Sequence, residues 1–445
     1  MKNLFTKTLL SSAMLVATGA ANAAAFQLAE ISTSGLGRAY AGEAAIADNA
    51  GVVATNPALM SLFKRPEISL GAIYVDPNID VYGTTASSIM TSQGTIPTPG
   101  LAKSADAHDI AKSALVPNIY AVYPLNDKFA VGGGLNVNYG LATEYDDNYN
   151  AGYLAGKTDL TALNFNLSGS YKILDNLALG LGVNAVYADA VIERRAGTLG
   201  NVVANTTLAG TPYAALAAAS PASTVIRKIE GTEWGFGWNA GLMWQVTESS
   251  RFGLAYHSKI DIDFDGQYSD AGNVFLGSKG NESGSLTLPL PAYWEFSGFH
   301  QVTDKLAFHY SWKYTEWSKF KELRAVGASG KELFQKTENF RDSSRLAIGA
   351  TYHATDALTV RAGIAYDETA ANDYHSISIP DTDRMWYSLG ATYHFTPDLS
   401  VDVGFAHLRG SNNSFKEVEP NSGIVSDIKV KATANLYGLN LNYRF

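Results

Sequence analysis

From Ile68 to the C-terminus the chain reads as a series of stretches in which apolar positions alternate with small or polar ones. The clearest is WGFGWNAGLMW, where Trp234, Phe236, Trp238, Ala240, Leu242 and Trp244 fall on one parity and Gly235, Gly237, Asn239 and Gly241 on the other. A period of two is the signature of a strand whose side chains point to opposite faces of a sheet. The pattern returns in LAFHYSWKYTEW, where Leu306, Phe308, Tyr310, Trp312 and Tyr314 oppose Ala307, His309, Ser311 and Lys313, and again at Leu399, Val401, Val403 and Phe405. Fourteen strands are predicted, starting near Ile68, Val116, Phe129, Asp159, Leu177, Glu233, Phe252, Leu286, Leu306, Arg345, Leu358, Met385, Leu399 and Thr433.

Half-buried strands also suit a soluble sandwich, so the connections between strands have to decide. The short ones, PLND, LDN, VTESS, VTD, ATDA and TPD, alternate with much longer ones. An even number of strands with tight turns at one end and long loops at the other is the plan of an outer-membrane barrel. The chain ends LYGLNLNYRF, with Tyr437, Leu439, Leu441, Tyr443 and the terminal Phe445 on one parity. Such a last strand closes the sheet and leaves no unpaired edge in lipid. Strands that end in an aromatic residue are also what the barrel-assembly machinery receives, which makes Phe445 the expected contact with that partner.

Composition adds three constraints. The first residues, MKNLFTKTLLSSAMLVATGAANA, carry two lysines, a short apolar core and a small-x-small end at Ala21-Asn22-Ala23, which reads as a signal peptide over residues 1–23. There is no cysteine, so disulfides, thiolate metal sites and lipobox anchoring are excluded. The net charge is −9, and losing Lys2 and Lys7 with the signal peptide takes it to −11, a balance that argues against nucleic acid.

Catalytic and cofactor motifs are missing. The eight histidines are His108, His257, His300, His309, His353, His375, His394 and His407, and they show neither His-Glu-x-x-His spacing nor a Gly-x-Ser-x-Gly elbow in the chain. GLGRAYAG, from Gly35, mimics a nucleotide loop but follows no strand in a βαβ unit. The expectation is a transport barrel with no enzymatic activity, no metal and no cofactor. A general porin-like or structural surface barrel is the alternative.

Residues 24–65 have no strand periodicity and are rich in Gly, Ala and Asn. Fourteen strands enclose more space than wall side chains can fill, since eight strands are filled by side chains and sixteen to eighteen leave a channel. A segment of small residues with many bends suits a filler of that space, bonding its backbone to a polar wall.

At this point the residues themselves resemble a known family. FQLAEISTSGLGRAYAGEAAIADNAGVVATNPALM, followed in order by NYGLATEY, TDLTALNFNLSGSY, NAVYADAVIER, WGFGWNAG, LFQK and SISIPDTDR, is similar to the FadL family of outer-membrane long-chain fatty-acid transporters over nearly the whole mature chain. The resemblance implies a monomeric, all-β, fourteen-stranded antiparallel transmembrane barrel over residues 66–445, plugged by a hatch formed by residues 24–65. Its partners would be long-chain fatty acids or other hydrophobic small molecules, and membrane lipid. It implies capture among outer loops, binding at an inner site, a hatch rearrangement and lateral exit into the bilayer by passive diffusion.

Residue by residue, the resemblance carries a basic pair onto Arg194 and Lys336, the inner-site aromatic onto Phe26 and an acid onto Asp367. The hatch turn maps onto Asn56-Pro57-Ala58, and the third-strand kink that opens the wall onto Asn138-Tyr139-Gly140. Arg195 follows Arg194 directly, and the sequence leaves open which of them points inward. The apolar loop stretch TPYAALAAASPAS, from Thr211, reads either as one wall of a capture groove or as a helix that only packs.

Overall fold

The computed structural model describes residues 25–270 and 281–445, so the signal peptide read at 1–23 lies outside the described residues. Fourteen strands form the wall among them. They are β1 (Glu67–Thr91), β2 (Ala114–Pro124), β3 (Phe129–Glu144), β4 (Lys157–Leu174), β5 (Leu177–Arg195), β6 (Val225–Thr247) and β7 (Ser250–His257). The second half comprises β8 (Tyr293–Gln301), β9 (Leu306–Thr315), β10 (Ser343–His353), β11 (Leu358–Asp367), β12 (Arg384–His394), β13 (Leu399–Gly410) and β14 (Ile424–Arg444).

Each strand pairs antiparallel with the next, and β14 returns to β1 with Arg444 opposite Glu67 and Leu441 opposite Leu70. The sheet is thus a closed barrel. The expected strand starts correspond to these elements with three adjustments at the long-loop end. β6 begins at Val225 rather than near Glu233, and β14 at Ile424 rather than near Thr433. The strand expected near Leu286 is broken into Glu282–Leu290 and β8 at Pro291-Ala292. These extensions stand beyond the membrane, where both faces meet protein or water, so apolar alternation fades although the ladder continues.

Burial is inverted relative to a soluble sheet. On β6, Phe236 is 73% exposed whereas Asn239 is 0% exposed. The inward positions form a polar lattice in which Asn166 donates to Asn184 (2.9 Å) and Asn239 (3.0 Å), and Asn184 donates to Asn239 (3.0 Å). Exposed Trp, Leu and Tyr side chains ring the outside. A wall greasy outside and hydrogen-bonded inside requires lipid as its outer solvent.

The segment from Ala25 to Phe63 lies inside this wall. Its backbone N–H groups donate to inward hydroxyls around the circumference: Gly42 to Ser311 on β9 (2.7 Å), Ala44 to Ser297 on β8 (3.1 Å) and Ala50 to Ser69 on β1 (3.1 Å). Two wall glycines set how closely it can sit, because a Cβ on Gly180 of β5 would strike the Pro57-Ala58 backbone and one on Gly363 of β11 would strike the Arg38 carbonyl. The segment makes only short helical turns, Thr33–Leu36, Val52–Thr55 and Pro57–Leu62. Loops fold over the opposite end, where Tyr145 donates to the Ile377 carbonyl (2.6 Å) and Tyr149 to that of Ala105 (2.9 Å).

Candidate functional site

Among the described residues, β2 and β3 part over a stretch of the wall. β2 and β3 pair only from Pro124 opposite Ala130 up to Ile119 opposite Leu135. Beyond that point Ala114–Asn118 stays with β1 alone, and β3 continues to Glu144 on β4 alone. The cause is local. Val137 pairs with Leu163 and Tyr139 with Ala162, so Asn138 is an extra residue on β3, and a bulge of this kind bends and twists its strand.

The edge freed on β3 is taken by the inner segment, not by β2. Leu28 N–H donates to the Asn138 carbonyl (2.8 Å), and Gly140 N–H to that of Phe26 (2.9 Å), with Gln27 directly opposite Tyr139. The Leu28 side chain lies 3.2 Å from where a Cβ on Gly140 would stand, so a larger residue there would crowd this contact. Asn138-Tyr139-Gly140 and Phe26 are thereby brought to the same place.

Phe26 is packed among aromatics. Its ring lies 4.8 Å from Trp317, 5.5 Å from Phe320 and 6.1 Å from Tyr139, and Phe340 closes on Phe320 at 5.0 Å. These rings belong to one continuous apolar cluster. It runs from Phe264, Tyr268, Leu286 and Leu333 at the long-loop end down to Phe26 and Tyr139 beside the parted strands.

A cavity of about 330 Å³ with both charged and apolar walls adjoins the upper end of this cluster and is lined by Arg194 and Lys336 together with Arg227, Phe334, His375 and Glu417. Arg194 is 4% exposed and gives Nη1 to the Lys157 carbonyl (3.2 Å), Thr158 Oγ1 (3.2 Å) and the Glu193 carbonyl (2.9 Å). Arg195 turns the other way, to Asp147 (3.0 Å) and Glu193 (2.8 Å), so the inward residue of the two is Arg194. Lys336 Nζ donates to Ser376 and to Ser378 (2.6 Å), and lies 3.5 Å from Glu338 and 3.9 Å from Glu417.

Asp367 is not in that cavity. It stands at the end of β11, 3.4 Å from Arg384, and lines a small chamber with Gln27, Ala29, Lys313 and Arg345. In the same region Glu30 is 1% exposed, accepts the Ala29 N–H at one oxygen (2.8 Å) and has no hydrogen-bond partner at the other. Burial pushes the Glu30 carboxyl up to about 7, with its own backbone and Ala29 amides and then Arg345 and Arg384 offsetting part of that.

Glu30 therefore keeps its proton in the docked segment up to near pH 7, whereas in water it would lose it near 4.5. The sign follows from linkage. Docking gains up to about 3 kcal/mol at pH values below the water value, and loses it as pH rises through 7. Hydrogen–deuterium exchange over residues 26–62, corrected for intrinsic rates, is expected to show more protection at pH 5 than at pH 8, and Glu30→Gln to shrink the difference, the remainder coming from Glu43, whose carboxyl is also pushed up to about 7 by burial. Equal protection in the unmodified protein would contradict this.

The Asn56-Pro57-Ala58 turn is held through Asn56, which is 0% exposed. Its Nδ2 donates to the Ala44 carbonyl (2.7 Å) and the Leu242 carbonyl on β6 (3.0 Å), while its Oδ1 accepts the Ala58 N–H (3.0 Å). One side chain thus ties two parts of the inner segment to the wall. Sequence reasoning missed Trp317, Phe320 and Phe340 around Phe26. They follow β9 in a stretch without periodicity, and only their aromatic density between Trp312 and Phe340 marked them.

Comparison with known proteins then places the chain. A family model described as outer membrane protein transport protein (OMPP1/FadL/TodX) matches residues 14–445. The 47 kDa outer membrane protein of Pasteurella multocida is 60% identical over 99% of each chain. The long-chain fatty acid transport protein of Escherichia coli K12 is 43% identical over 100% of this chain and 99% of its own. The crystal structure of a Pseudomonas aeruginosa FadL homologue superposes with a TM-score of 0.83 at 26% identity, covering 95% of this chain and 100% of that one. The Ralstonia pickettii toluene transporter TbuX, at 20% identity over 93% of this chain and 98% of its own, shares the fold with a TM-score of 0.62.

Proposed function

The chain belongs to the OMPP1/FadL/TodX family of outer-membrane transport barrels for hydrophobic compounds, and from that premise we propose that it takes up long-chain fatty acids and delivers them sideways into the bilayer. The observation that carries the reading is the continuous apolar cluster that leads from Phe264 and Leu286 at the loops to Phe26 and Tyr139, where β2 and β3 part. In this reading Arg194 and Lys336 meet the carboxylate while the acyl chain enters the apolar cleft beside them.

Residues 24–65 act as the hatch. Phe26, Gln27 and Leu28 occupy the gap by bonding the free edge of β3, and a ligand that takes the place of Phe26 against Trp317 and Phe320 releases them. The gap at Asn138-Tyr139-Gly140 then opens toward lipid. Asp367 belongs to the ionic chamber that holds the hatch and makes no contact with the ligand. Lateral delivery suits the cargo, because each methylene led through a wet pore forgoes roughly 0.8 kcal/mol of burial.

Proteoliposomes containing the mature chain test this directly. Oleate is expected to enter the membrane well above the protein-free rate while a small hydrophilic solute stays trapped. Solute leakage without oleate uptake would instead establish a porin, and neither activity a structural barrel.

A further inference from the structure

Four basic side chains, Arg194, Arg227, Lys336 and Lys416, line the cavity at the head of the apolar path, and they are not equally engaged. Lys416 is paired with Asp427 at 3.3 Å. Arg194 is tied to three oxygens of its own wall, and Lys336 is held by Ser376 and Ser378 with Glu338 and Glu417 close by. Arg227 stands directly opposite Arg194 in the β5–β6 ladder. Among the described residues no carboxylate lies within ion-pair distance of it, its Nε is buried without a hydrogen-bond partner, and its side-chain neighbour is the Tyr268 hydroxyl, which itself points to Asp270 (3.4 Å). Its guanidinium lies over the Phe334 ring, 5.4 Å from the centroid.

The position of Arg227 matters as much as its charge. Next to Phe334 in sequence, Leu333 lines a second, almost wholly apolar cavity of about 40 Å³ with Ile192, Ile229, Phe264, Tyr268 and Leu286. Arg227 thus stands at the junction of the larger cavity and an apolar cleft. A guanidinium offers a planar fork that fits a carboxylate, and a partly desolvated cation without an acid partner gains most from receiving one. Of the two acids nearest Lys336, Glu417 is itself engaged, accepting from Ser376 (2.9 Å) and from the Ile377 N–H (2.9 Å), and Glu338 lies 3.5 Å from the Lys336 ammonium. Arg227 therefore has neither the acid neighbours of Lys336 nor the three wall hydrogen bonds of Arg194.

We infer that Arg227 binds the carboxylate of the amphiphile whose chain occupies the cleft beside Phe334 and Leu333, and so sets a preference for acids over neutral amphiphiles of the same length. A neutral head group leaves the fork unpaired, and sites with a buried polar group discriminate strongly against ligands that cannot satisfy it. This inference rests on the fatty-acid reading above and adds to it the residue that reads the head group.

The test compares oleate with oleyl alcohol, which share chain length and differ in charge, using the full mature chain in lipid nanodiscs and intrinsic tryptophan fluorescence as the readout. Arg227→Ala is expected to weaken oleate binding by about tenfold or more while leaving the alcohol within about twofold, and Arg227→Lys to restore part of the loss. Heat-dependent gel mobility verifies that each variant is a folded barrel, and Arg227→Lys keeps the test open if Arg227→Ala does not assemble. Equal losses for both probes would assign Arg227 to packing on Phe334 and overturn the inference. Unchanged oleate binding in Arg227→Ala, with binding lost in Lys336→Ala, would overturn it alone. A wild type that binds neither probe would take down the fatty-acid reading and this inference with it.

Discussion

Deletion of Asn138 is expected to reduce oleate uptake by more than about tenfold, toward the protein-free rate, while the barrel still assembles. Asn138 is the one residue on β3 without a counterpart on β4 in the stretch between Val137–Leu163 and Tyr139–Ala162, so its removal restores a regular ladder. A straightened β3 can then pair with the edge that Ala114–Asn118 of β2 leaves unused, which closes the wall. The large effect follows from what remains. With the lateral path shut, an acyl chain of about fifteen methylenes would have to leave through a wet, hatch-blocked lumen, forgoing on the order of 12 kcal/mol of burial. Uptake in proteoliposomes measures the loss, and an unchanged rate in a folded deletion variant would remove the gap from the pathway.

The second large effect comes from pinning the hatch where it meets the gap. Gln27 and Tyr139 are directly opposite in an antiparallel bridge flanked by the Leu28–Asn138 and Gly140–Phe26 hydrogen bonds. The flanking bonds make this a non-hydrogen-bonded pair, whose Cα atoms stand about 4.5 Å apart with side chains close together, within the range a disulfide spans. The chain has no cysteine of its own, so Gln27→Cys with Tyr139→Cys introduces the only thiols. Oxidation is expected to cut uptake by about tenfold relative to the same protein after reduction, a contrast that cancels the effect of losing the Tyr139 ring. Equal uptake in both states would mean that the terminus does not have to leave β3 for transport.

Much of the barrel could be read from alternation alone, because a strand between lipid and a polar lumen is the setting in which period-two patterning is strongest. Trp234 to Trp244 shows why, since the outward ring carries Phe236 and the inward one Asn239 and Gly241, which admits Asn56 and Pro57. Beyond the membrane that contrast disappears. The ladders at Val225 and Ile424 and the break at Pro291-Ala292 therefore left little trace in the apolar pattern.

The site was legible only through resemblance. Arg194 and Lys336 are ordinary charges until the fold turns them into one cavity, and nothing in IERR distinguishes Arg194 from Arg195. The gap is harder still. A single extra residue at Asn138 decides it, yet a Gly-containing stretch such as Asn138-Tyr139-Gly140 is common in strands, and its meaning depends on the distant partner edge at Ala114–Asn118. Asp367, grouped by resemblance with the basic pair, lies instead beside Arg384 and lines a chamber with Gln27, Ala29, Lys313 and Arg345, a separation no linear reading contains.

Lateral delivery is the central claim, and photolabelling with an oleate analogue that carries a diazirine near the end of its chain tests it most directly. Illumination during turnover in proteoliposomes, followed by peptide mapping, reports which wall the chain passes. The account predicts labels on Ala114–Asn118 of β2 and on residues 136–140 of β3, fewer of them in the oxidised Gln27→Cys/Tyr139→Cys protein. Labels concentrated instead on the inner segment around Pro57–Leu62 and on the lumen face of β6, with none between β2 and β3, would establish axial passage and contradict it.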